Sequence, residues 1–327
     1  MPPQNDRGPI ASRGFHQLRN RLERLLEEVH MGPADELKAL AILFAALAAV
    51  AMSYGAQFQN DAVSERHQSK ERGRGSLSLK QVASLLVRPR WLSGLGMMVV
   101  AIVLQLAALS LAPLIVVQPI GAIALIVTPL LNARSKKTKI DRATWIAIGV
   151  TTLGIGAFVA QATGVAHETH LTDDDLRTVL AILAALIAVF GIWFFTMGNR
   201  AKALTFVFGA GVLYGFVATL AKVVIQRIYQ AQFEWLTVLC LLALVGAVVL
   251  GGWFVQNAYA SGPPDLVIAG LTVIDPLVAV SVGIIVLGEA QQANWLVSVG
   301  FAIAAAIAIV GVFMLSKVHP ELAEKRH

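Results

Sequence analysis

The sequence predicts an all-α protein: a polytopic membrane helix bundle of about nine transmembrane helices, built from two inverted repeats of four plus five. Three observations predict it. Of 327 residues, 57% are hydrophobic and only 14% charged, a bias that no soluble domain of this length needs. Apolar runs of about 20 residues, enough to cross a hydrocarbon core of about 30 Å as a helix, recur along almost the whole chain. The chain also matches itself when Gln105 is laid on Gln256, a displacement of 151 residues.

Residues 1–36 form an N-terminal extension. Phe15, Leu18, Leu22, Leu25, Leu26 and Val29 share one helical face, with Arg19, Arg21, Arg24 and Glu28 elsewhere. That pattern fits a helix lying on the membrane surface, and equally a solvated or partly disordered tail. Charges run through the first 30 residues with no short apolar core before a small-residue cleavage site. The expectation is therefore no cleavable signal peptide, with the first span acting as the targeting signal.

The first repeat, residues 37–162, holds spans at 37–58, 91–111, 113–132 and 144–161. The second, residues 163–316, holds spans at 176–197, 204–226, 235–259, 265–288 and 295–316, and residues 317–327 form the tail. Arg66, Lys70, Arg72, Arg74, Lys80, Arg88 and Arg90 follow span 1, and Arg134, Lys136, Lys137, Lys139 and Arg142 follow span 3. Lysine and arginine in short loops mark the cytoplasmic side. The loop after span 4, "ATGVAHETHLTDDD", is acidic and lacks both. The reading is a multi-pass protein of the cell (inner) membrane, N-terminus outside and C-terminus cytoplasmic, with Lys317, Lys325 and Arg326 in agreement. The net charge of +6 is then a topology signal. The partners expected are the lipid bilayer and a small-molecule or ion substrate, with no nucleic acid; a homodimer is allowed.

Within the repeat, "QLAALSLAPLIVV" aligns with "QNAYASGPPDLVI", so that Gln105, Ser110 and Pro113 meet Gln256, Ser261 and Pro264 in one register. Tyr54-Gly55 has a displaced counterpart in Tyr214-Gly215. By the loop charges, spans 2 and 7 cross in opposite senses, so the halves are inverted. Inverted repeats are a recurrent plan of secondary transporters, with the substrate site near the midplane between the halves.

The stretch "GLTVIDPLVAVSVGIIVLGE" carries Asp275-Pro276 about 15 Å along span 8 at 1.5 Å per residue. An ionisable group at that depth is a candidate for substrate contact or proton coupling. Pro276 removes a helical hydrogen bond and is expected to bend or break the span, with Pro119 as a second hinge candidate. The first-half counterpart, "AIALIV", has no acid, so the charge is one-sided. Lys222 is the other candidate, either snorkelling to the interface or neutralising Asp275 in one conformational state. Gln105, Gln118, Gln256, Asn257, Tyr54 and Tyr214 complete the candidate substrate-binding or coupling set. Glutamine and asparagine also hold helices together.

His167, Glu168 and His170 lack the spacing of a zinc-protease helix, and the one cysteine, Cys240, excludes a disulfide within the chain and a thiolate metal site. There is no phosphate-binding glycine loop and no nucleophile elbow. The expectation is no enzymatic activity, no cofactor and no resident metal, with a gradient as the energy source.

The segments from "LQLAALSLAPLIVVQPIGAIALIVTPLLNARSKKTKIDRATW" and from "NAYASGPPDLVIAGLTVIDPLVAVSVGIIVLGEAQQANW" onward resemble the two halves of a drug/metabolite transporter superfamily protein, EamA-like. The proline-containing penultimate helix ending in "LGE", Leu287 to Glu289, carries the resemblance. The four-plus-five layout with a long basic first loop resembles the subgroup of NIPA-type magnesium transporters and related bacterial permeases. The resemblance implies a secondary carrier working by alternating access on a small metabolite, drug-like compound or lipid-linked precursor, with protons as candidate coupling ion. The subgroup implies Mg²⁺ or another divalent cation as the alternative, and a non-transporting membrane scaffold is a third. One departure is that the first half has "LLNARSKK" where the second has "VLGEAQQ", so Glu289 has no symmetric mate.

Overall fold

The computed structural model describes residues 33–69, 89–135, 139–197, 203–261 and 264–317. Residues 1–32 of the N-terminal extension and most of the basic loop after span 1 lie outside them. Among the described residues every regular element is a helix: α1 (Pro33–Ser69), α2 (Pro89–Leu111), α3 (Leu114–Ile120), α4 (Ile123–Ser135), α5 (Arg142–Val165), α6 (Asp173–Met197), α7 (Ala203–Tyr229), α8 (Trp235–Ser261), α9 (Pro264–Ile285) and α10 (Trp295–Lys317). Taking α3 and α4 together, the described residues give nine stretches long and apolar enough to cross a membrane. Helices suit this composition because hydrocarbon offers no water to backbone N–H and C=O groups, which must find partners within the segment. Leu153, Ile192, Val249 and Ile285 are large, apolar and exposed, as lipid-facing side chains are.

The third span departs from a continuous helix over 113–132. Pro119 has no N–H to donate and crowds the carbonyl of Ile115. The chain then tightens: Gly121 N–H bonds to Gln118 O at 3.2 Å and Ala122 N–H to Pro119 O at 3.3 Å, before α4 starts at Ile123. Pro276 has the opposite outcome. α9 runs as one helix from Pro264 to Ile285 with Pro276 inside it, so the expected break is in the first half, not at Asp275-Pro276.

Packing follows small residues. α1 packs on α2 and α4, α7 packs on α8 and α9, and α5 packs on α10, while α6 lies against α7 and α8. At the α1–α2 crossing a Cβ on Gly55 would come within 2.9 Å of the Gly94 carbonyl, and one on Gly94 within 2.8 Å of the Gly55 carbonyl. In lipid there is little hydrophobic drive between helices, so such close backbone approach supplies the van der Waals contact that holds them. Gly211 and Gly215, four residues apart on α7, do the same against Ile274, Asp275 and Val278 of α9. This seats the Asp275 backbone directly on α7.

Candidate functional site

Helical periodicity puts one stripe of each surrounding helix onto a common cavity of about 690 Å³. α7 contributes Tyr214, Val217, Ala218 and Ala221, and α9 contributes Leu271, Thr272, Asp275 and Pro276. From the first half come Met52 on α1, Gln105 on α2, Gln118 on α3 and Gly121 beyond it. Asp275 is the one charged residue in this lining, and its Oδ1 is buried without a hydrogen-bond partner. The Thr272 hydroxyl is already committed to the Ile268 carbonyl at 2.8 Å. Pro276 offers no N–H to the carbonyl of Thr272, which loses its helical partner in the cavity wall. Behind that wall, an apolar cavity of about 80 Å³ separates α9 from α5 and α10, and both Pro119 and Pro276 line it.

One end of the bundle is closed by charge. Leu109 O would bond the N–H four residues on, but that residue is Pro113; Ala112 O loses Val116 N–H, which bonds Pro113 O at 3.1 Å. Lys222, 1% exposed, supplies both missing donors, reaching Leu109 O at 2.7 Å and Ala112 O at 3.0 Å, and pairs its ammonium with Glu168. Immediately after the proline, Glu289 accepts the first free N–H groups of α3, from Leu114 at 2.8 Å and Ile115 at 3.0 Å. A cation on the C-terminal end of α2 and an anion at the start of α3 are the signs the peptide dipoles favour. Burial pushes the Glu289 carboxyl above its ordinary range, while the Leu114 and Ile115 N–H groups and then Lys222 pull against that. The loop is stitched in as well: His167 N–H bonds Glu289 O at 3.0 Å, and Gln226 bonds the second Glu168 oxygen at 2.9 Å. Arg227, 4% exposed, pairs with Asp173.

Of the residues singled out from sequence, Asp275, Gln105, Gln118, Tyr214 and Pro276 line the large cavity and Pro119 the small one. Tyr54 is exposed on α1 with its ring 6.1 Å from Phe58, and neither it nor Gln256 nor Asn257 lines the cavity. Gln256 is exposed on α8, and the Asn257 amide donates to the Trp253 carbonyl at 2.7 Å. The register match of Gln105 with Gln256 therefore does not translate into a shared site. Lys222 neither snorkels nor meets Asp275: Leu109, Ala112 and Glu168 occupy the three donors of its ammonium. Arg227, the other basic residue late in α7, is likewise buried and paired.

Glu168 and Glu289 are the residues that sequence reasoning left out of the site. A signal existed for each. A lysine within a span needs an acid or carbonyls in reach, and Pro113 guarantees that two carbonyls lose their usual partners.

Among the described residues, nine stretches of membrane-crossing length, with a cavity that carries one carboxylate lying between α1, α2, α3, α7 and α9, define a multi-pass helical membrane protein. The chain is similar to an uncharacterised protein of Corynebacterium glutamicum, 26% identical over 286 residues that cover 85% of this chain and 95% of that one. It is also similar to an Arabidopsis thaliana protein named "Probable magnesium transporter NIPA9", 25% identical over 226 residues covering 65% of each chain. No family profile matches the chain. No solved structure matches it either.

Proposed function

We propose that the protein is a secondary transporter working by alternating access, with its substrate taken into the cavity at Asp275. The observation that carries this reading is the orphaned Asp275 Oδ1, buried beside a cavity that helices of both halves line. A static acid in a packed core would be paired, because burying a charge alone costs more than any other group in a fold. Support comes also from the similarity to a protein named as a transporter. The packing of α1 on α2 and α4, matched by α7 on α8 and α9, agrees with the two-repeat plan of the drug/metabolite transporter type. We place the protein in the cell membrane with the Lys222 end outside, assign protons as the coupling ion, and assign it no enzymatic step.

A second reading, transport of Mg²⁺ or another divalent cation, is favoured by the printed name of the plant relative. Here Asp275 would be a charged ligand, with the amide oxygens of Gln105 and Gln118 meeting an ion that keeps several waters. The test is flux in liposomes containing the purified protein, comparing divalent cations with proton-coupled organic solutes, with Asp275→Asn alongside. Wild-type flux in Asp275→Asn at every pH would overturn the role of Asp275 in both readings.

A further inference from the structure

We infer that the cavity at Asp275 binds a monovalent organic cation, a protonated amine or quaternary ammonium carried on an apolar body. This rests on the reading of the cavity as a substrate site and narrows what enters it.

Charge balance comes first. Among the described residues Asp275 has no cation paired with it, and the two buried cations of the neighbouring α7, Lys222 and Arg227, are held by Glu168 and Asp173. The compensating charge arrives with the occupant or as a proton, and the two exchange naturally if the occupant carries one positive charge. A divalent ion would leave one charge in excess within an apolar wall. It also demands close ligation: Mg²⁺ takes oxygens at about 2.0–2.1 Å in near-octahedral array. The side-chain oxygens of Asp275, Gln105, Gln118 and Tyr214 stand on four different helices with apolar side chains between them, and the Thr272 carbonyl freed by Pro276 lies one turn from Asp275 on α9. The Thr272 hydroxyl donates its hydrogen to Ile268 O, which leaves its oxygen as an acceptor on the same wall.

Size and lining agree. A cavity of about 690 Å³ falls within the roughly 300–1,000 Å³ of pockets that hold drug-sized molecules. Met52, Ile102, Leu106, Val217 and Leu271 offer an apolar wall to a hydrocarbon body. Tyr214 adds an aromatic face, which attracts a cation through the ring's negative quadrupole. Gln105 and Gln118 can accept the N–H groups of an amine.

The test uses the full-length protein in nanodiscs with radiolabelled benzyltrimethylammonium. Its neutral isostere, neopentylbenzene, and millimolar Mg²⁺ serve as competitors. Saturable ammonium binding is expected, weakened at least tenfold in Asp275→Asn and displaced by neither competitor. Tyr214→Leu should weaken ammonium binding and Tyr214→Phe should bind more tightly than Tyr214→Leu, which checks the site with variants that leave the carboxylate in place. Ammonium binding unchanged in Asp275→Asn, equal competition by the isostere, or saturable Mg²⁺ binding that excludes the ammonium would each overturn the inference. Failure of the transport reading looks different: ammonium binds, but no flux occurs and Ala218→Cys in a Cys240→Ala background reacts from one face of the membrane only. Conversely, Mg²⁺ flux that depends on Asp275, without ammonium binding, keeps the carrier and removes the organic cation.

Discussion

Lys222 Nζ donates to the carbonyl oxygen of Leu109 at 2.7 Å, joining α7 of the second half to the last turn of α2 in the first. The side chain of Leu109 lines the cavity, as does Ala221 beside the lysine. The bond therefore lies at the cavity's closed end. Lys222→Met keeps the volume and removes the donors, leaving the Leu109 and Ala112 carbonyls without them. At about 1–3 kcal/mol for each buried polar group left unsatisfied, the expected loss is about 2–6 kcal/mol, read as a lower melting temperature in detergent. Glu168, whose side chain is 44% exposed, can return to water when its partner is removed. Glu168→Gln leaves the buried Lys222 ammonium without its counter-charge and should cost about 3–5 kcal/mol. Added to Lys222→Met, the same change should cost no more than about 1 kcal/mol, because the exposed carboxylate then has no partner to lose; a loss there as large as in wild type would contradict the Lys222–Glu168 pairing.

Glu289 does for α3 what Lys222 does for α2. Glu289→Ala removes the acceptor of both Leu114 and Ile115 N–H, each charge-assisted bond being worth about 1.5–3 kcal/mol. The pH dependence has a definite sign. The folded-state carboxyl titrates above its ordinary 4.5, so the native state holds the proton over a range where the unfolded chain has released it. The corresponding stability is fully present below 4.5 and is lost as pH rises through the raised folded value. The melting temperature of wild type relative to Glu289→Gln should fall as pH increases from 4.5 upward. A difference that grows with pH would show that the two N–H donors, not burial, dominate the site.

How much of this was legible in the sequence differs by scale. Span number and placement were, because membrane-crossing length and apolar composition are local properties that no tertiary contact overrides. Asp275 was legible for the same reason: one acid in an apolar run needs no partner to be noticed. Partner choice was not. Lys222 was set against Asp275 because both lie in spans, yet it bonds carbonyls orphaned by Pro113 and an acid in a loop, contacts spanning 54 to 113 residues. The two prolines behaved unequally for a reason outside their own sequence. α9 lies against Gly211 and Gly215 along its length around Pro276, while α3 is free to end where Gly121 opens onto the cavity.

The α7–α9 contact gives a steric prediction. A Cβ on Gly215 would come within 2.9 Å of the Asp275 carbonyl and 2.6 Å of Val278 Cβ. Gly215→Ala must push α9 away at the residue that carries the site, costing about 1–3 kcal/mol by overpacking. Gly246, on α8, has nothing within 4 Å of the same added atom, so Gly246→Ala should leave stability within about 0.5 kcal/mol of wild type. The measurement is melting temperature together with ammonium binding, and Gly215→Ala should weaken both while Gly246→Ala changes neither. Weakened binding with unchanged melting would place the effect in cavity shape alone.

Orientation is tested at the other side of the same ion cluster. Asp174, at the start of α6, has its side chain 88% exposed, so Asp174→Cys offers a thiol to aqueous reagents at the end where Lys222 and Glu289 meet. The chain's own Cys240 is fully buried, and burial with desolvation keeps such a thiol unreactive, so background labelling should be small. With the basic loops inside, a membrane-impermeant maleimide added to intact cells should modify Asp174→Cys and leave Arg134→Cys untouched. Modification of Arg134→Cys alone would invert the topology and put the Lys222 end in the cytoplasm. The direction in which the cavity must open to exchange its occupant would reverse with it, because the Lys222–Glu168 and Arg227–Asp173 pairs close that end whichever side it faces.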